Sequence, residues 1–453
     1  MSSEQSFEVA VIGAGASGTL LAAQYIRHAP AGVRLALIDA SGRPARGVAY
    51  ETPFAANLLN VPAGNMSAFP DDREHFVDWL TTRLPGSTAG TFAPRLIYGE
   101  YLEGILAETL HGDTVSLFGA TAVDLSRGSD TWTVHLDNGS LITARSVVLA
   151  IGNALAPDAP LDTSDIATRY RGNPWSPDAI LGLTRTAPVL LIGTGLTTVD
   201  AALSLRESGH EGPIHAVSRH GRLYHQHKFY TPQPLSELPD QFRTPRGALR
   251  WTTSATKRLQ ATGGDWRAVI DSLRPHTALI WKNWSLKQRG SFLRHARNLW
   301  DIHRHRMAPE IAAQLTELLE NGILTIHAGR PLSAEQYGTQ ARVTIRSTRT
   351  GNTFALDVDR VINCTGPSRN YTKTVIPLIA RMREKGWLVP DRLRLGVETS
   401  TDGHLIGADG GCVPKLYTIG PLRIAALFES IAIPEIRVQA DELANKLSEH
   451  CHD

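Results

Sequence analysis

One pattern occurs twice in this chain and narrows its fold more than any other feature. "FEVAVIGAGASGTLLAAQYIRHAPAGVRLALIDA" lies near the start, and "VLLIGTGLTTVDAALSLRESGHEGPIHAVSRHG" runs from residue 189 to 221. Each reads as a buried strand, a glycine-rich turn, a helix and a second strand. In the first copy Phe7 to Ile12 is the strand, Thr19 to Arg27 the helical run and Val33 to Ile38 the second strand. In the second copy Val189 to Ile192, Val199 to Arg206 and Ile214 to Val217 take the same places. This order makes a dinucleotide-binding unit. The glycines let a pyrophosphate approach the backbone, and the helix N-terminus supplies free N–H groups and partial positive charge.

Gly13 permits the tight turn, Gly15 the close approach of phosphate and Gly18 the packing of helix on strand, with Ser17 in the same turn. Gly193 and Gly195 repeat the first two positions, and Thr198 replaces the third glycine. Asp39 stands 26 positions after Gly13, and Arg219, preceded by Ser218, stands 26 after Gly193. An acid there accepts hydrogen bonds from a free ribose, which suits FAD. An arginine offers a charged fork to a 2′-phosphate, which suits NADPH. NADH is the alternative if Arg219 is only a surface charge. The repeat continues through "TWTVHLDNGSLITARSVVLAIGN" and "ARVTIRSTRTGNTFALDVDRVINCTG", meanders whose last strands end at Gly152 and Gly366. A hairpin turn is expected at Asp137-Asn138-Gly139.

A length of 453 residues exceeds one ordinary core. A net charge of +2 gives no reason to invoke nucleic acid or an anionic membrane as partner, and no apolar run approaches a membrane span. "MSSEQS" has no signal-peptide character, so a cytoplasmic location is expected, and no feature sets an oligomeric state. Cys364, Cys412 and Cys451 lie far apart without a CxxC, which argues against a disulfide framework, a zinc ribbon or a dithiol site.

Residues 222 to 310 form a long insertion that reads mostly helical, a cap where substrate is selected. "LKQRGSFLRHARNLWDIHRHRMAPEIAAQLTELLENG" reads as one helical run. His303 and His305 fall on different helix faces, so no metal is expected, and Asp301 is placed to pair with Arg297 or His305. His225 and His227 are candidates to line the cleft. Arg294, Arg304 and Arg306 are candidates for anion contact, with solvent the default for each.

The layout resembles the flavoproteins with two dinucleotide-binding domains, in which an NAD(P) domain is inserted into an FAD domain. The absent CxxC sets it apart from the thioredoxin-reductase-like branch. Three stretches are similar to the class B flavin monooxygenases. "LAIGNALAPDAP", from Leu149, resembles their linker. "NLLNVPAGNMSAFPDD", residues 57 to 72, resembles the segment that brings an Asn beside the flavin ring, which by position is Asn60, with Met66 following. "LYTIGPLRIAALFESIAIPEIRVQA", with Gly420, resembles their C-terminal flavin-contacting segment. More closely, "GVAYETPFAANLLNVPAGNMSAFPDD" and "GTGLTTVD" resemble the bacterial family of FAD-dependent urate hydroxylase and aspartate N-monooxygenase.

The resemblance implies an α/β fold with two Rossmann-like domains. Residues 1–175 and 366–453 would form the FAD domain, and 176–365 the inserted NAD(P) domain carrying the helical cap. It further implies FAD and NADPH as cofactors, and O2 and a small molecule as substrates. Oxygen would be transferred through a flavin C4a-hydroperoxide that Asn60 and retained NADP+ protect. Urate 5-hydroxylation is the first reading. N-hydroxylation of an amino acid such as aspartate, or a reductase passing electrons to a redox partner, are the alternatives.

Overall fold

The computed structural model describes residues 5–154 and 161–449. Its strands fall into two sheets. The first holds β1 (Gln5–Ile12), β2 (Leu35–Ile38), β3 (Val115–Phe118), β4 (Ala122–Arg127), β5 (Trp132–Leu136) and β6 (Leu141–Leu149). The second holds β7 (Tyr170–Arg171), β8 (Val189–Ile192), β9 (Ile214–Ser218), β10 (Leu324–Tyr337), β11 (Gln340–Ser347), β12 (Thr353–Val358) and β13 (Arg360–Asn363). The chain then returns to the first sheet with β14 (His404–Ile406) and β15 (Cys412–Thr418).

The first sheet runs β14-β15-β6-β1-β2-β3, with the β4–β5 hairpin attached through β6. The second runs β12-β11-β10-β9-β8-β13-β7. Within each, the glycine-turn strand sits between the strand after the first helix and the last strand of the meander, all parallel. That is where strand order reverses and a crevice opens beyond the strand ends, the place where such sheets bind ligands. Strands β2, β8 and β13 are buried along their whole length, as parallel strands covered on both faces must be. Because β15 pairs with β6 in parallel, residues from beyond the second sheet complete the first. The NAD(P)-type sheet is therefore inserted into the FAD-type sheet.

The repeat is looser in the meanders. In the first sheet the hairpin joins β6; in the second it joins β10, a 14-residue strand that continues from parallel pairing with β9 into antiparallel pairing with β11. The turn expected at 137–139 is present, with Gly139 at φ +83°. The glycine-loop helices begin earlier than their apolar pattern suggested, at Ala16 and Leu196, because the turn residues themselves enter the first helical turn.

The insertion is α-helical only from residue 245, after a short 3-10 turn at Asp240–Arg243. Its helices are Pro245–Ala261, Trp266–Ser272, Thr277–Asn283, Leu286–His295 and Arg297–Arg304. Each of three starts has a side-chain cap: Thr244, Asp265 and the reciprocal Ser285–Gln288 capping box. The single run expected from Leu286 onward breaks into three helices. The backbone leaves the helix near Met307, whose N–H donates to the carbonyl of His225, and restarts with Pro309 in the first helical turn. That third helix, Pro309–Glu320, buries Ile311, Leu315 and Leu318 against the second sheet and is not part of the cap.

Candidate cofactor sites

Both glycine turns are built the same way. Gly13 has φ +104°, and a Cβ there would lie 2.5 Å from the carbonyl oxygen of Ala150, just past β6. Gly193 has φ +127°, and a Cβ would lie 2.4 Å from the carbonyl oxygen of Cys364, just past β13. In each sheet the turn is pressed against the end of the neighbouring strand, so only glycine fits. At Gly18 a Cβ would fall 1.8 Å from the oxygen of Gly13. Thr198 is tolerated at the third position of the second turn, where its buried side chain lies against Gly193.

Gly15 faces Gly47 backbone to backbone, and the intervening loop is held by the Ala45 N–H on the oxygen of Ala14. The Asp39 carboxylate accepts from the N–H of Ala14 at 3.0 Å and of Ser41 at 2.8 Å. The Ser41 hydroxyl also donates to Oδ1, so the carboxylate is fixed at the mouth of the turn and Oδ2 keeps a lone pair for a ribose hydroxyl. Gly420, at φ +74°, approaches the Ser17 hydroxyl so closely that a Cβ would lie 2.7 Å from it. Residues 13–18, Asp39 and Gly420 thus converge, a cradle of bare backbone that suits a pyrophosphate.

In the second half-site the Ser218 hydroxyl meets that of Thr194 at 2.8 Å, which in turn donates to the carbonyl of Arg222. Arg219 is exposed at the end of β9. Burial and the nearby cations Arg222, Arg219 and Arg330 push the His220 imidazole below its usual range, so a basic cluster surrounds this strand end. Sequence reasoning named only Arg219. Arg330 comes from β10, and only the parallel pairing of β9 and β10 brings it near. Gly152 and Gly366 both turn with positive φ, and a bridge between Ala154 and Ser368 ties the two chain crossings together. Residues 155–160 of the linker-like stretch lie outside the described residues.

Asn60 accepts a hydrogen bond on its backbone oxygen from His227 Nε2 at 3.0 Å. Burial lowers the His227 imidazole pKa, which favours the neutral ring. Met66 is buried in the core of the first sheet, and its carbonyl is taken by the Tyr98 hydroxyl at 2.9 Å. His225 packs instead against Trp266 and His303 in the cap.

The loop that holds Asn57 to Asn60 docks on the helix that follows the second glycine turn, with Arg95, whose N–H donates to the carbonyl of Asn57, beside it. Arg95 pairs with Asp200, the last residue of "GTGLTTVD", at 2.9 Å. Asn57 donates to the Ser204 hydroxyl at 3.0 Å, and the N–H groups of Ala55 and Ala56 both point at the Glu207 carboxylate. These contacts bind the loop leading to Asn60 onto the helix Leu196–Glu207 of the second sheet.

Solvent was the default for Arg304 and Arg306, and the structure corrects it. Arg304 pairs with Glu429 at 3.0 Å, and Arg306, 2 % exposed, pairs with Asp271. Both guanidiniums are neutralised within the fold by acids far away in sequence. Asp301 lies 3.3 Å from Arg297 and 4.0 Å from His305. Burial lowers the His305 pKa to about 4, so the Arg297 contact is the ion pair at neutral pH. Among the described residues no three His, Cys, Asp or Glu side chains gather to hold a metal, and no helix is long and apolar enough to cross a membrane.

An inserted pair of Rossmann-type sheets, each with a glycine turn at its switch point, is an arrangement that suits two dinucleotides. Residues 10–154 match the sequence model of an FAD-NAD(P)-binding family. No curated relative matches in sequence. Solved structures match over nearly the whole chain. The ornithine N-hydroxylase of Kutzneria sp. 744 superposes with a TM-score of 0.67 at 16% identity, covering 98% of this chain and 100% of that one. The L-lysine 6-monooxygenase of Pseudomonas syringae gives 0.66 at 16%, covering 98% and 99%. The thioredoxin reductase of T. acidophilum gives 0.57 at 12%, covering 99% and 100%. At these identities the likeness is one of fold.

Proposed function

We propose that this chain is an FAD- and NADPH-dependent monooxygenase that hydroxylates the nitrogen of an amine. The observation that carries the reading is the pair of equivalent turns with unlike strand ends, Asp39 in one and Arg219 in the other. Gly13, Gly15, Ser17, Gly18, Asp39 and Gly420 would hold FAD. Gly193, Gly195, Thr198, Ser218 and Arg219 would hold NADPH. The two cofactors supply hydride transfer and oxygen activation when bound. The protein's part is to position them, exclude water and hold hydrogen bonds. Asn60, on a loop fixed by His227 and by the seam with the helix Leu196–Glu207, would serve that task through its side-chain amide. The expected domain limits 176–365 and 366–453 belong to the same proposal, but the first domain ends before residue 175, since β7 pairs with β13 of the second sheet.

Nitrogen as target is favoured over urate because the ornithine and lysine enzymes share the architecture end to end. The test is NADPH consumption in air by the FAD-loaded protein, with peroxide and hydroxylamine counted. Amines, urate and aspartate are supplied in parallel. Hydroxylamine formed from an amine supports the reading. Urate-stimulated consumption without hydroxylamine would replace it with carbon hydroxylation, and peroxide as the sole product with every substrate would favour a reductase.

A further inference from the structure

The cap holds a half-open cavity of about 450 Å³. Its wall includes Trp266, Trp281, Trp284, Trp300, Phe292 and Phe428, and no lining residue belongs to either glycine turn. Three of the indoles have their N–H groups committed to the framework. Trp281 donates to the oxygen of Ala425 at 2.7 Å, Trp284 to that of Phe242 at 2.8 Å and Trp300 to Glu429 at 3.2 Å. Trp281 also stacks on Phe428 at 4.7 Å. Anchored this way, the rings give the cavity rigid apolar walls at little entropic expense on binding.

The rim is a different surface. One face of the helix Pro245–Ala261 presents Thr252, Thr256 and Lys257 to the opening. Lys257 is exposed, and no carboxylate lines the cavity. An ammonium buried there would have no partner, and an unpaired buried charge is strongly disfavoured. The body of a ligand must therefore be apolar, with any anionic end at Lys257 and any ammonium left outside the cavity. Two walls reach toward the cofactor sites. Phe428 follows Gly420 along one short segment, and His303 touches His225, two residues before the His227 that binds Asn60.

We propose that this cavity binds a small molecule with a bulky, ring-bearing apolar body. This ligand class, rather than a wholly polar amine such as ornithine, would then be the enzyme's substrate. The second half of the proposal rests on the monooxygenase reading; the first does not. Calorimetry on the FAD-loaded protein with indole-3-acetate, indole and L-ornithine tests the first half. Both indoles should bind and ornithine should not. Ala248→Trp, which fills the cavity, and Thr256→Trp, which plugs its mouth without entering the core, should each weaken indole-3-acetate about tenfold or more. Lys257→Gln should weaken indole-3-acetate severalfold and leave indole unchanged. Absence of heat from both indoles, or affinity unchanged in both tryptophan variants with native flavin spectra, overturns the cavity as a binding site. NADPH bleaching of the flavin in the same sample checks the monooxygenase reading separately. If bleaching occurs and tryptamine raises coupled oxygen use above ornithine, the substrate assignment stands. If bleaching occurs and ornithine is the better substrate, that assignment falls.

Discussion

Arg95 and Asp200 face each other at 2.9 Å across the seam between the two sheets, each with 14 % or less of its side chain exposed. Burial pushes the Asp200 carboxyl up, and Arg95 holds it down. Removing Arg95 leaves a buried carboxylate without its partner, a loss of about 3–5 kcal/mol. Urea unfolding of Arg95→Ala at neutral pH should show it. The deficit should shrink on acidification, because a folded-state pKa raised further lets Asp200 take up its proton at higher pH than in the unfolded chain. An equal deficit at every pH would mean that Arg95 acts through packing alone.

The matched turns predict separable losses. Gly13→Ala would place a Cβ on the Ala150 carbonyl and Gly193→Ala one on the Cys364 carbonyl. Gly13→Ala should purify without flavin. Gly193→Ala should retain flavin absorbance and lose NADPH-driven bleaching by tenfold or more, about 1.4 kcal/mol. Flavin loss in both variants would show the two sites to be folded as one unit.

Arg219→Ala should weaken NADPH by roughly 10- to 100-fold, the worth of a charged hydrogen bond, and leave NADH almost untouched. Arg222 and Arg330 stand in the same cluster, so the single variant should keep a residual preference for NADPH. Stopped-flow flavin reduction with both nucleotides measures this, and equal loss for the two would remove Arg219 from the phosphate site.

Asn60 holds His227 through its backbone oxygen, so Asn60→Ala keeps that bond and removes only the amide. NADPH oxidation should continue while peroxide rises at the expense of hydroxylated product. An unchanged product-to-NADPH ratio would leave Asn60 a purely structural role.

His305 gives the fold an acid-sensitive point. Its pKa falls to about 4, chiefly through burial, from the 6.5 of a free histidine. The unfolded chain therefore binds a proton that the folded chain refuses, and stability declines as pH drops from 6.5 toward 4. With 30 % of the side chain still exposed, water screens part of this, and about 1–2 kcal/mol is at stake. His305→Gln should flatten the Tm-versus-pH curve in that window, and a curve parallel to the parent's would rule His305 out.

Local rules made the two half-sites readable. Gly13, Gly18 and Gly193 announce themselves because a turn that crowds a neighbouring carbonyl admits no side chain, and Asp39 and Arg219 follow at a fixed distance along βαβ units. What depends on distant partners stayed hidden. Arg304 and Arg306 look like surface charges until Glu429 and Asp271 arrive from elsewhere in the chain. The pattern from Leu286 reads as helical, but Pro309 holds Ala308 out of the helix, and a tertiary bond from Met307 to His225 fixes the break. Arg95 and Asp200 carry no mark of each other, since their pairing depends on how two sheets dock.

The bridge between Ala154 and Ser368 joins the chain's departure from the first sheet to its return. A unit whose two ends lie side by side behaves as a cassette: it can be lengthened, exchanged or fitted with a different cap without shifting the host's strands. Such a cassette is still held by its host, because the cap core includes Leu395, Ile424, Ala425 and Phe428 from the segment that returns to the first sheet.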